Sequence, residues 1–294
     1  VNELPSTEAL DPATAGIDRL DDAALARMLI EAHRDVVDAV LAAAEPIARA
    51  TALVAEALER GGRVVLVGAG TSGRLAVLDA AELPPTFGVD PALVEARIAG
   101  GERALRAAVE GAEDDVEAGA RAVDDVCAGD VVIGISASGG APFVRAALRT
   151  ARERGARTVG IVNAPGGMLA RDAEIGIVAA TGAEPIQGST RMRAGTAQKI
   201  VLNAISTGAM IRLGKTYGNR MVDLVATNAK LRARGERLVG ELGGAGDARA
   251  LLDAAGGSVK TAVVMARRGV DRGEAERLLR DARGRLARVI DVPG

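Results

Sequence analysis

The chain has 294 residues, 48% of them hydrophobic and 26% charged, with a formal net charge of -2. That suits a sizeable core and excludes the basic footprint of a nucleic-acid or anionic-membrane binder, leaving small-molecule partners. A single cysteine, Cys127, excludes an internal disulfide and a cysteine-based zinc cluster, and the scarcity of aromatics (Phe87, Phe143, Tyr217) argues against base-stacking or flavin pockets. The opening "VNELPSTEALDPATAG" lacks the basic start and apolar run of a signal peptide. No apolar span reaches bilayer length, so a cytoplasmic location is expected.

In chain order, apolar residues recur at helical spacing from Asp21 to Arg60, predicting two consecutive helices with Pro46 in the first turn of the second. The only histidine, His33, falls among them and reads as structural, so any acid–base chemistry falls to carboxylates. "RVVLVGAG" is a short apolar run ending in glycines, the pattern of a buried parallel strand feeding a tight turn. The same pattern returns in "DVVIGISASGG", "ARTVGIVNAPGG" and "AEIGIVAATGAEP", with "PALVEARIAGG" as a further strand. Strands alternating with helices predict a parallel sheet of about five strands, flanked by helices. From Ser189 the pattern turns helical: "STRMRAGTAQKIVLNAISTGAMIRLG" predicts a long helix with a Ser/Thr cap, stopping at Gly214. After residue 230 short amphipathic segments predict a three-helix appendage. The expected organisation is an N-terminal extension and helix (1–45), a central α/β domain (46–225) and a small C-terminal helical domain (226–294).

The first loop contains Gly68-x-Gly70-x-x-Gly73, the spacing of a dinucleotide fingerprint. That reading also needs an acidic residue at the end of the next strand, where "LVEARIAGG" has glycines. The turn instead carries Thr71 and Ser72, whose hydroxyls suit a small anion at a helix N-terminus. Ser136, Ser138 and Gly139 repeat the design after another strand, and Ser189 and Thr190 form a third candidate after "AEP" with Glu184. Hydroxyl loops at several strand ends point to a compact phosphorylated ligand. No glycine loop carries a Walker lysine, so nucleotide hydrolysis has no support.

The strand–Ser/Thr loop pattern resembles sugar-isomerase (SIS) domains, which bind phosphosugars. The strings "VGAGTSGRLAVLDAAELPPTFGV", "IAGGERALRAAVEGAEDD" and "GSTRMRAGTAQKIVLNAISTGAMIRLGKTYGNRMVDLVATNAKL" resemble the N-acetylmuramic acid 6-phosphate etherases over nearly the whole chain. The resemblance implies a cytoplasmic, metal- and cofactor-independent homodimeric lyase of cell-wall sugar recycling. It would release D-lactate and leave N-acetylglucosamine 6-phosphate. It implies Glu82, in "LDAAELPPT", as proton donor and Glu113, the last residue of "VEGAE", as the second catalytic residue. It further implies phosphosugar contacts from Gly70, Thr71, Ser72, Ser136, Ser138, Gly139, Ser189 and Thr190, with Glu184 a candidate for sugar contacts or ring opening. One departure stands out: "ASGGAP" places Gly140 and Ala141 where the family's "ASGRTP" has a basic and a hydroxyl residue.

Under this reading the opened sugar has an aldehyde at C1, which makes the C2 proton removable. The carbanion expels the lactyl oxygen from C3 and water adds to the alkene, a route needing one base and one acid. Glu82 is assigned as the acid, with a pKa expected to be raised by burial, and Glu113 as the base. A non-catalytic phosphosugar-responsive regulator and an aldose–ketose isomerase of the same fold remain alternatives.

Overall fold

A computed structural model describes residues 4–224, 229–244 and 246–291. The expected domain boundary at residues 225 and 226 lies outside them. The chain divides into two compact units, one running up to Ala81 and resuming over Pro91–Ser206, the other comprising Glu82–Asp90 and the chain from Thr207 onward.

Three helices open the first unit: α1 (Asp22–Glu31), α2 (Val36–Leu41) and α3 (Ala44–Glu59). The two helices expected here are therefore three, because the chain turns between α1 and α2. His33 lies in that turn with Nδ1 3.0 Å from the Leu29 carbonyl oxygen. Asp21 caps α1 by accepting the Ala24 N–H. Then β1 (Val64–Gly68) leads into α4 (Gly70–Phe87), β2 (Val94–Ile98), α5 (Arg103–Arg106) and α6 (Val116–Arg121). The alternation continues through β3 (Val131–Ile135), α7 (Pro142–Glu153), β4 (Arg157–Val162), α8 (Met168–Asp172), β5 (Ile175–Val178) and the long α9 (Arg193–Arg212).

The five strands form one parallel sheet in the order β2-β1-β3-β4-β5, as the apolar runs predict. Every residue of β1 and β3 is buried, which is why these strands read as continuous apolar runs instead of alternating ones. Val65, Val67 and Val132 share a core with Val144, Leu148 and Ala151 of α7. Strand alternation turns Leu66 and Ile133 to the other face, and α3 packs against β1, β3 and β5. Because β2 and β3 flank β1 on opposite sides, the chain reverses its direction of travel across the sheet between β1 and β3. That reversal opens a crevice beyond the strands' carboxyl ends, the usual ligand position in such sheets.

In the second unit, β6 (Thr216–Tyr217) and β7 (Arg220–Met221) make a small antiparallel hairpin. Among the described residues five helices follow where three were expected: α10 (Ala229–Gly243), α11 (Ala248–Ala254), α12 (Val259–Arg268), α13 (Arg272–Asp281) and the short α14 (Ala287–Ile290). Glycine turns and side-chain caps from Asp247, Ser258 and Asp271 break the run into shorter pieces than periodicity alone indicates. Leu238, Leu252, Val259, Val263 and Leu286 form its core. Lys260 is buried beside that core and pairs with Asp223 at 3.2 Å, so burial lowers its pKa while the carboxylate opposes the drop.

Candidate active site

The glycines of the first loop have separate jobs. A Cβ on Gly68 would stand 2.6 Å from the Gly73 nitrogen, and one on Gly73 would stand 2.5 Å from Ile98 Cγ1, so both permit close packing where β1 passes into α4. Gly70 has φ +53° with open space around it and makes the left-handed turn that starts the helix. The outcome is a helix N-terminus with Thr71 and Ser72 in its first turn, where unpaired N–H groups and the positive dipole end favour an anion.

The loop after β3 lies on the opposite side of the reversal point. Ser136 Oγ accepts the Gly139 N–H at 3.2 Å and Ser138 Oγ accepts the Gly140 N–H at 3.2 Å, so both serines also hold the turn. Gly139 itself shapes that turn, with φ +74° and its backbone tight against Gly167.

These loops enclose a cavity of about 260 Å³. Gly70, Thr71 and Ser72 line one wall, Ser136, Ser138 and Ala141 another, with Gly188 and Thr190 closing it. Glu113 contributes a carboxylate from the short turn Ala112–Asp114, held by Gly111 in a left-handed conformation. It is exposed to solvent. Protein crowding around its carboxyl raises its pKa, and the negative charge of Asp114 adds to the rise. No lysine or arginine lines the cavity, so an anion there would rest on hydroxyls, backbone N–H groups and the α4 dipole. Ala141 lines the cavity where the resemblance leads one to expect a hydroxyl, and Gly140 is adjacent.

Four of the sequence-predicted site residues do not line the cavity. Gly139 and Ser189 stand next to the lining residues Ser138 and Thr190 in the chain. Glu82 is exposed near the end of α4, followed after one residue by Pro84 and Pro85, and belongs to the second unit. The burial expected to raise its pKa is not seen there. Glu184 is 0% exposed and accepts the N–H groups of Arg193 at 2.8 Å and Ala194 at 2.9 Å. Its carboxylate therefore caps α9, the position predicted for a Ser/Thr cap, and the helix begins beyond Thr190 because Glu184 satisfies its first donors. The "GTAQK" string serves the same end of the sheet: Gln198 Nε2 donates to Asn163 Oδ1 at 2.9 Å, and Asn163 Nδ2 donates to the Ala179 carbonyl.

One lining carboxylate escaped sequence reasoning. Glu8 reaches the cavity from the N-terminal 3₁₀ turn Ser6–Glu8. It lies in the opening "VNELPSTEALDPATAG", and nothing in that composition says where the turn will dock. Among the described residues, no three His, Cys, Asp or Glu side chains gather as a metal-ligating set, and no helix is long and apolar enough to cross a membrane.

The chain is 50% identical over 288 residues to the N-acetylmuramic acid 6-phosphate etherase of Deinococcus radiodurans, covering 97% of this chain and 94% of the relative. It is 46% identical over 289 residues to the protein of the same name from Escherichia fergusonii, covering 97% of each. The chain belongs to the N-acetylmuramic acid 6-phosphate etherase family. Within it, residues 108–207 match the SIS domain and residues 46–152 the glucokinase regulatory protein N-terminal SIS domain. A phosphoheptose isomerase from Francisella tularensis shares the fold, with a TM-score of 0.51 at 19% identity over 66% of this chain and 98% of that one. The etherase-family chain thus carries an SIS-like sheet whose reversal point holds the hydroxyl loops and Glu113.

Proposed function

We propose that this chain is a cytoplasmic carbon–oxygen lyase that cleaves the D-lactyl ether of N-acetylmuramic acid 6-phosphate, yielding N-acetylglucosamine 6-phosphate and D-lactate. The observation that carries the proposal is one cavity at the sheet's reversal point that combines three hydroxyl-bearing segments with Glu113, in a chain of this family. Ser72, Ser136, Ser138 and Thr190 hold the 6-phosphate with the first turn of α4. Thr71 and the backbone at Gly70 and Gly139 shape the cradle, Ser189 supports Thr190, and Glu184 acts at one remove by anchoring α9.

In this reading Glu113 removes the C2 proton of the opened sugar. A raised pKa makes its ionised form a stronger base, which supports this role. Glu82 protonates the departing lactyl oxygen as the C3–O bond breaks, and water then adds at C3. These two carboxylates complete the proton transfers of elimination and hydration, so those steps call for no metal or cofactor. The chain works as a homodimer; the exposed Ile30, Val37 and Leu41 of the N-terminal helices suit burial against a second copy.

The test is incubation with N-acetylmuramic acid 6-phosphate in ¹⁸O water. Lactate should be released with an unlabelled hydroxyl and the sugar should carry label at C3. Absence of lactate would leave the isomerase or regulator readings, and label in the lactate hydroxyl would exclude elimination.

A further inference from the structure

Elimination across C2 and C3 requires an aldehyde at C1, yet a pyranose presents a hemiacetal whose C2 proton is not acidic. Ring opening must therefore precede it, and ring opening is itself a proton transfer. Glu184, a sequence candidate for this step, is enclosed and bonded to two helix N–H groups. Among the residues lining the cavity only Glu8 and Glu113 carry a titratable side chain. Glu113 is committed to C2.

Glu8 is held so as to present a free carboxylate. Its backbone carbonyl accepts the Gln187 Nε2–H at 2.9 Å, tying the N-terminal turn to a segment 179 residues away. The neighbouring Thr7 is 0% exposed, so the turn is packed into the protein. The carboxylate itself forms no hydrogen bond or ion pair among the described residues, although it is only partly exposed. Gly188 makes room for it: a Cβ there would stand 2.8 Å from Glu8 Oε2, and Gly188 has φ +72°. A fixed backbone, an unpaired carboxylate and a glycine opposite it together describe a polar group kept for a ligand.

Building on the etherase reading, we infer that Glu8 is the acid–base group that opens the sugar ring. The carboxylate takes the C1 hydroxyl proton, the O1–H electron pair becomes the second bond of the C1 carbonyl, and the C1–O5 pair moves to O5. The same proton is returned to O5, so the residue ends as it began and no co-reactant is consumed.

The experiment compares two substrates on wild-type, Glu8→Gln and Glu8→Asp. The first is the closed N-acetylmuramic acid 6-phosphate, assayed by lactate release. The second is the acyclic 2,3-unsaturated aldehyde 6-phosphate, whose hydration bypasses ring opening. Glu8→Gln should lose at least tenfold in kcat on the closed sugar and stay within about twofold of wild-type on the acyclic aldehyde. Glu8→Asp should recover part of the loss. Equal losses on both substrates would make Glu8 a binding or structural residue and overturn the inference, as would an undiminished rate on the closed sugar. Wild-type that released no lactate would sink the etherase reading itself, an outcome separate from either variant result. An unchanged melting temperature for Glu8→Gln shows that the comparison is between folded proteins.

Discussion

Two glutamates at the carboxyl edge of the same sheet have opposite fates. Glu113 stands on a short exposed turn, among the residues that line the cavity, with its pKa raised by crowding and by Asp114. Glu184 is sealed in and spends both oxygens on the N-terminus of α9. An anion at a helix N-terminus, bonded to two N–H groups, is stabilised in place and unavailable to a substrate. An anion without a partner beside an open cavity is costly for the fold and available to a ligand. What separates architecture from chemistry here is therefore where the hydrogen-bond partners come from.

The largest effect that can sharpen this contrast is on turnover. Glu113→Gln should lower kcat by roughly 10²–10⁴-fold with little change in melting temperature, because it removes a proton acceptor and no packing. Glu82→Gln should fall by a similar factor while substrate binding stays measurable by calorimetry. Near-normal lactate release from either variant would remove that residue from the mechanism. The pH dependence follows from the direction of the Glu113 shift. A base must be ionised, so kcat/KM should drop as pH falls through the raised pKa, placing the acid limb above the ordinary glutamate value of about 4.3. A limb at or below that value would contradict the assignment of Glu113 as base.

Glu184→Gln should reverse the pattern. A glutamine can accept one of the two helix N–H groups but turns a donor toward the other, a loss of about 2 kcal/mol. For a chain of this size that corresponds to a fall in melting temperature of roughly 4–8 °C, measurable by calorimetry. If stability held and only kcat suffered, Glu184 would belong with Glu113 after all.

Smaller effects test the cradle. Ser136→Ala with Ser138→Ala should raise KM by roughly tenfold and leave kcat within a few-fold, because phosphate contacts are alike in the ground and transition states. An intact preference for phosphorylated sugar in that double variant would place the phosphate elsewhere. The smallest expected change is a gain. Gly140 has no left-handed φ and its Cβ would make only an ordinary 3.4 Å contact with Ser138 Oγ, so the backbone tolerates a side chain there. Gly140→Arg with Ala141→Thr should lower KM by about fivefold, near 1 kcal/mol, by supplying a cation and a hydroxyl to a cavity that has no basic side chain. A higher KM would mean that the glycine and alanine are needed for room.

Much of the molecule was legible without coordinates. The five strands stand out because a strand covered on both faces must be apolar throughout, and β1 and β3 are buried at every position. The glycine spacing at Gly68, Gly70 and Gly73 reports a local requirement, a tight turn pressed against Ile98 and the start of a helix, so it too survives in the linear string. The hydroxyls of Thr71, Ser72, Ser136 and Ser138 sit immediately after those strands, and reading them as one anion site needs only that the strands be parallel neighbours. Less was legible where local rules compete. The helices at either end are more numerous than periodicity suggests, because side-chain caps and turns divide a continuous amphipathic pattern.

What the amino-acid sequence by itself determined is which segments are strands and helices, and which loops carry hydroxyls and carboxylates. Those properties depend on residues a few positions apart, through burial period, backbone sterics and capping. Only the tertiary structure decided which carboxylates reach the cavity. Glu184 finds its partners at Arg193 and Ala194 because the chain doubles back into α9, and Glu8 enters the site because Gln187 and Gly188, nearly two-thirds of the chain away, form its seat. A glutamate has one side chain and many possible partners, and long-range packing selects which of them stands beside it.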